Sequence, residues 1–123
     1  MKEAVIVSTA RTPIGRAYRG AFNNIKSPTL TAHAIQHAVE RAGVEGAEID
    51  DVILGCAFPE GEQGMNMGRM VALRAGLPET VPAQTVNRFC SSGLQTIAHA
   101  ANAIMAGQAQ TIFAGGTESM TMV

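Results

Sequence analysis

The apolar positions of this chain fall in short continuous runs, separated by stretches whose apolar residues recur at helical spacing. Ala4–Thr9 (A-V-I-V-S-T) is the first run, and the turn-forming R-T-P-I-G closes it, so a buried strand is predicted there. A polar, irregular stretch covers Gly20–Lys26. Ser27 then reads as an N-cap and Pro28 as the first helical residue. Ile35, Ala38, Val39 and Ala42 repeat at helical spacing and Gly43 is a stop, which predicts a helix over Pro28–Ala42. Asp51–Ala57 (D-V-I-L-G-C-A) is the second run, followed by a P-E-G-E-Q-G loop and a helix over Asn66–Ala75 that Gly76 stops. Thr80–Asn87 is the third strand, with Pro82 at its start or on an edge. A third helix spans Ser91–Ala106 up to Gly107, and Thr111–Ala114 is a fourth strand running into G-G-T-E-S-M.

The order is β-α-β-α-β-α-β. Strands that are apolar throughout, rather than on alternate residues, are covered on both faces. The expected fold class is therefore α/β: a mostly parallel sheet with helices on both faces and right-handed crossovers, in a single domain. No internal repeat or low-complexity tract is visible.

The third helix changes this picture. Leu94, Ile97, Ala98, Ala101, Ile104 and Met105 form one apolar face, and the opposite side carries Thr96, Ala100 and Ala103, small rather than charged. No Lys, Arg, Asp or Glu occurs between Cys90 and Gly107. A helix apolar all round is buried all round. One sheet covers only one side, so a second layer is expected on the other, and the chain ends at M-T-M-V without sequence to build it. Composition points the same way: 46% of the 123 residues are hydrophobic and only 15% charged, few for the exterior of a small domain.

A formal net charge of −1 and 4% aromatic residues without Trp leave neither a basic stripe nor a stacking platform, which excludes nucleic acid as the expected partner. The N-terminal apolar run is too short for a signal peptide or membrane span. Two cysteines at no metal-ligand spacing fit free thiols in a reducing compartment, so a cytoplasmic location is expected.

The candidate chemistry centres on V-N-R-F-C-S-S-G-L-Q, residues 86–95, where Cys90 sits between a strand and a helix start. Unpaired N–H groups and the positive end of the helix dipole would stabilise a thiolate there. The same groups would hold an oxyanion on a carbonyl carbon bonded to the sulfur, and Gly93 would allow substrate or backbone to approach. The competing reading is a small buried cysteine, and local sequence leaves both open. A thiol nucleophile also needs a base. His99, nine residues on along one helix, lies roughly 13 Å away at 1.5 Å per residue. His33 and His37, with Glu40 one turn further, read as a solvated helix face rather than a zinc site. Gly61, Gly64 and Gly68 do not make a dinucleotide fingerprint. Gly115-Gly116 reads as close backbone packing, Met65, Met67 and Met70 as contact or core residues, and Cys56 as a small buried residue at a strand end.

Four stretches, in the same order along the chain, resemble segments of the thiolases: A-R-T-P-I-G, G-E-Q-G-M-N-M-G-R, V-N-R-F-C-S-S-G-L-Q and G-G-T-E-S-M. The R-F-C-S-S-G form is more similar to the degradative 3-ketoacyl-CoA thiolases, which serve fatty acid β-oxidation, than to those forming acetoacetyl-CoA. The resemblance covers the whole chain but only the first half of a thiolase. It implies one of two similar halves whose central helices lie between two sheets, with the inserted loop domain and C-terminal half absent. Cys90 would take the acyl group as a thioester, its backbone N–H would belong to the oxyanion hole, and Asn87 would help hold the nucleophile loop. Ser91, Gly93, Gly115 and Gly116 would support that loop. The activating His, a second catalytic Cys that Cys56 does not match, and a water-orienting Asn lie in the other half. Most coenzyme A contacts lie in the loop domain. Coenzyme A and acyl-CoA enter as substrates, with no resident cofactor or metal. The third strand would pair across a dimer, giving a homodimer or tetramer. The chain is thus expected to release acetyl-CoA only with a C-terminal half, and to be inactive alone. The alternatives are a non-catalytic dimerising module, a fragment of an acetoacetyl-CoA-forming thiolase, and a related condensing enzyme of fatty-acid or polyketide synthesis.

Overall fold

A computed structural model describes residues 1–121; the last two residues of the terminal M-T-M-V lie outside the described residues. Helix α1 covers Ser27–Ala42, strand β1 Asp51–Gly55, helix α2 Met67–Arg74, strand β2 Ala83–Val86, helix α3 Ser92–Met105 and strand β3 Ile112–Gly116. The three strands form one parallel sheet in the order β2-β1-β3. Val52 of β1 lies beside Ala83 and Phe113, and Gly55 beside Val86 and Gly116, so the C-terminal ends of all three strands come together at one edge. The α/β class read from the sequence holds. Among the described residues no helix is long and apolar enough to cross a membrane.

Alternation along β1 assigns the helices to faces. Val52 and Leu54, both fully buried, point to one side. There Leu54 packs with Ile35, Met67, Val71 and Ala75 of the α1–α2 layer, and Val52 packs with Ile49, Ala72 and Val81. Fully burying each Val, Leu, Ile or Met among these contributes about 1.5–3 kcal/mol. On the other side, a Cβ placed on Gly55 would fall 2.6 Å from the carbonyl carbon of Ser92, so α3 covers that face in backbone contact. Helix α2 approaches β2 as closely, since a Cβ on Gly68 would lie 2.4 Å from the Gln84 carbonyl oxygen.

The boundaries shift where tertiary contacts outweigh local signals. Ser27 is the first residue of α1 rather than its cap, and Lys26 holds the N-cap position without a side-chain bond. The Ser27 hydroxyl is committed elsewhere, donating to Gln63 Oε1 at 2.6 Å. Asn66 is the N-cap of α2. Its Oδ1 accepts from Arg69 N–H at 3.3 Å and from the Thr85 hydroxyl at 2.7 Å, which stitches the helix start to β2.

Two larger differences concern the apolar surfaces. Ala4–Thr9, expected as a buried strand, joins no ladder. Val5, Ile6 and Val7 are each about 70% exposed, and the segment is tied to α1 through the Ser8 hydroxyl on the Ala38 carbonyl and Arg41 on the Thr9 carbonyl. A strand needs a neighbour to satisfy its backbone, and no described strand lies beside this run. In α3 the small side faces inward. Ser92, Thr96 and Ala100 are buried against the sheet, while Leu94 is 71% and Ile97 44% exposed. The close approach at Gly55 leaves room only for small side chains, so the larger apolar face of α3 points away from this chain's own sheet.

Candidate functional site

Cys90 lies at the edge where the three strands end. It occupies the middle of a single 3-10 turn, Phe89–Ser91, that runs directly into α3, with Ser91 as the helix N-cap. The cysteine is therefore one turn ahead of the α-helix rather than inside its first turn. It is exposed, whereas Cys56 is buried; both are free thiols.

The turn is held by its neighbours. Phe89 adopts φ +49°, the left-handed region, an arrangement that costs a bulky residue about 1–2 kcal/mol and persists only when surrounding bonds impose it. Three bonds do so. Asn87 Oδ1 accepts from Phe89 N–H at 3.0 Å, and the buried Ser92 hydroxyl donates to the Phe89 carbonyl at 2.7 Å while accepting from Arg88 N–H at 2.8 Å. Asn87 Nδ2 also donates to the Ala57 carbonyl at 3.1 Å, anchoring the turn to the loop after β1. Asn87 thus bonds both to the turn that carries Cys90 and to the loop after β1.

The glycines divide the packing between them. Gly93 comes nearest to Gly116, and a Cβ on Gly116 would lie 3.2 Å from Gly93 Cα. Gly115 offers its carbonyl to the Thr96 hydroxyl at 3.0 Å, a proton shared with the Gly93 carbonyl. Gly93, Gly115 and Gly116 therefore clamp the start of α3 onto the end of β3. Gly55, which sequence reasoning did not single out, makes the tightest of these contacts with α3.

Glu118, quoted only as part of G-G-T-E-S-M, belongs to this neighbourhood. Its carboxylate accepts from Ala57 N–H at 2.7 Å and from Gln63 Nε2 at 2.8 Å, and the Cys56 sulfur lies 3.8 Å away. Gln63 is fully buried and also donates to the Phe58 carbonyl. Burial raises the Cys56 thiol from 9.0 to about 11, and the Glu118 charge adds to the rise. Cys56 is thus a protonated, enclosed thiol with none of the openness of Cys90.

His33 and His37 meet edge to face at 4.5 Å on α1, beside Arg11 and Arg41 in a shallow concavity of about 140 Å³. Cys90 does not line it. Met67 is core, Met65 and Met70 are exposed, and no cluster of three His, Cys, Asp or Glu is placed to hold a metal among the described residues.

Comparison with known proteins gives this geometry a context. The family described as "Thiolase, N-terminal domain" matches residues 4–123. A 3-ketoacyl-CoA thiolase of Bacillus subtilis is 55% identical over 123 residues, all of this chain but 32% of that protein. A beta-ketoadipyl-CoA thiolase of Acinetobacter baylyi is 52% identical over 98% of this chain and 30% of its own length. The crystal structure of the Bacillus anthracis acetyl-CoA acetyltransferase superposes with a TM-score of 0.88 at 41% identity, covering 94% of this chain and 29% of that one. The chain thus spans about a third of the length of the curated relatives it matches.

Proposed function

Since the chain belongs to the thiolase family, we propose that it supplies the acyl-accepting cysteine of a 3-ketoacyl-CoA thiolase. The observation that carries this reading is an exposed Cys90 on a strained, over-determined turn at the mouth of α3. In the proposed reaction the Cys90 thiolate attacks the 3-keto carbon, and charge collects on the carbonyl oxygen near the backbone N–H of Cys90. Collapse of that oxyanion breaks the C2–C3 bond. The acyl group stays on sulfur as a thioester, and the two-carbon fragment takes a proton and leaves as acetyl-CoA. The thiol of a second coenzyme A then attacks the thioester and carries the acyl group away. Coenzyme A is substrate, not cofactor. The base that removes the thiol proton and the acid that protonates the leaving carbon are assigned to a C-terminal half, and the working assembly to a dimer or tetramer in the cytoplasm. The relatives carry names of both kinds, 3-ketoacyl-CoA thiolase and acetyl-CoA acetyltransferase. The degradative direction rests on the R-F-C-S-S-G segment and on the B. subtilis relative.

The test is reconstitution. The chain is mixed with a polypeptide covering the remaining two thirds of the B. subtilis relative, and coenzyme A-dependent cleavage of 3-ketoacyl-CoA is followed. Cleavage is expected only with both parts, and Cys90→Ala should reduce it by about a thousandfold or more. Turnover by the chain alone, or turnover indifferent to Cys90→Ala, sinks the proposal.

A second reading has one observation in its favour. The outward apolar face of α3, with Leu94 and Ile97, suits a non-catalytic module that pairs with another protein. A stable complex with the C-terminal polypeptide that shows no Cys90-dependent cleavage would favour that module.

A further inference from the structure

We propose that Glu118 is a positioning residue for Cys90, acting through Ala57 and Asn87; the purpose assigned to it rests on the thiolase reading above. The path is a run of three hydrogen bonds. Glu118 Oε2 accepts from Ala57 N–H at 2.7 Å, the Ala57 carbonyl accepts from Asn87 Nδ2 at 3.1 Å, and Asn87 Oδ1 accepts from Phe89 N–H at 3.0 Å. The last bond falls on the residue whose left-handed backbone delivers Cys90. One end of this path is firmly fixed. The Thr117 N–H donates to the Gly55 carbonyl at 3.0 Å, extending the β1–β3 pairing to the residue before Glu118. The other carboxylate oxygen is turned toward buried Gln63, whose own Oε1 accepts from Ser27 at the start of α1. Asn87 alone is an exposed side chain with two rotatable bonds. It orients the turn only because the Ala57 loop is held still, and Glu118 holds that loop.

The chemistry of the partners explains why a carboxylate stands here. Ala57 N–H, the Gln63 amide and the Cys56 thiol all present hydrogen to position 118, so that side chain must accept on both oxygens. An ionised carboxylate is acceptor-only, whereas a carboxamide turns an NH2 toward one of those donors. Glu118→Gln therefore keeps the size and shape of the residue yet loses one of the two strong bonds. The loss follows from hydrogen-bond direction and not from a cavity.

The experiment compares amide hydrogen exchange, resolved by NMR, in the wild-type chain, Glu118→Gln, Asn87→Ala and the double variant. Glu118→Gln is expected to speed exchange of Phe89 N–H by about tenfold, as Asn87→Ala does, and the double variant to exchange no faster than either one. Amides of the β1 ladder, Ile53 and Leu54, should keep their wild-type protection. The proposal is overturned if Glu118→Gln leaves Phe89 unchanged, if the two effects add, or if the β1 amides speed up equally, which would make Glu118 a general stabiliser. Glu118→Asp, too short to reach both donors, serves as a second variant with the same expectation should Glu118→Gln fold poorly. Reconstitution with the C-terminal polypeptide separates the two readings. Lost coupling with Cys90-dependent cleavage intact in the reconstituted wild type sinks the role of Glu118 alone; intact coupling with no Cys90-dependent cleavage sinks the acyl-transfer purpose.

Discussion

Cys56 directly follows β1 and Cys90 lies in the turn after β2, and their surroundings set opposite behaviour. The Cys56 thiol, raised from 9.0 to about 11 by burial and by Glu118, keeps its proton in the folded chain where the unfolded chain loses it. The folded state then binds more protons than the unfolded one above pH 9, so stability falls with pH in that range. This contribution is complete below about pH 9 and is lost as the pH rises toward 11. Urea unfolding of wild type and Cys56→Ala between pH 7 and 11 should show the wild-type advantage constant up to pH 9 and shrinking above it. An advantage that stays constant to pH 11 would contradict the assignment. The sequence already shows Cys56 as a small buried residue and Cys90 as the open question, because strand ends and helix starts have local signatures. Glu118 has none. Its partners are backbone and amide groups 55 to 61 residues earlier, which only the folded sheet brings within reach.

At the scale of elements, glycine decides how near α3 comes to the sheet. The two candidates differ in a testable way. A Cβ at Gly55 would sit 2.6 Å from backbone atoms that cannot swing aside, whereas a Cβ at Gly93 meets nothing closer than Gly116 Cα at 4.0 Å. Gly55→Ala is expected to destabilise by about 1–3 kcal/mol, and Gly93→Ala to be neutral or to gain a few tenths from helix propensity. Chemical denaturation of the two variants checks the order, and a Gly93→Ala as costly as Gly55→Ala would show that the helix approaches differently. Helices α1 to α3 and strands β1 to β3 lie within one to three residues of their sequence expectations, because runs and glycine stops are local features. The inward face of α3 was not legible. Hydrophobicity alone favours Leu94 and Ile97 inside, but the backbone contacts at Gly55 and Gly116 admit only Ser92, Thr96 and Ala100.

For the whole molecule, the low share of charged residues and the all-apolar α3 are two views of one fact: much of the apolar surface faces outward. Leu94→Glu with Ile97→Glu should change the unfolding free energy by less than about 1 kcal/mol, since both side chains project from the sheet. The same pair should reduce self-association in sedimentation velocity and abolish reconstitution with the C-terminal polypeptide. A large loss of stability would mean that these residues pack within the chain after all. Ala4–Thr9 is the other outward surface. Its apolar pattern predicts a strand, but a strand also requires a partner, which the pattern of one segment does not reveal.

The central position of β1 has a consequence for biogenesis. It is the earliest of the three strands to leave the ribosome, yet it ends up flanked on both sides by later ones, and its Asp51–Ile112 pairing waits for about sixty more residues to be translated. Loop closure over that distance costs entropy before any ladder repays it. The nascent polypeptide therefore carries its most apolar strand with one flank bare for seconds of synthesis, a window in which chaperone capture competes with aggregation.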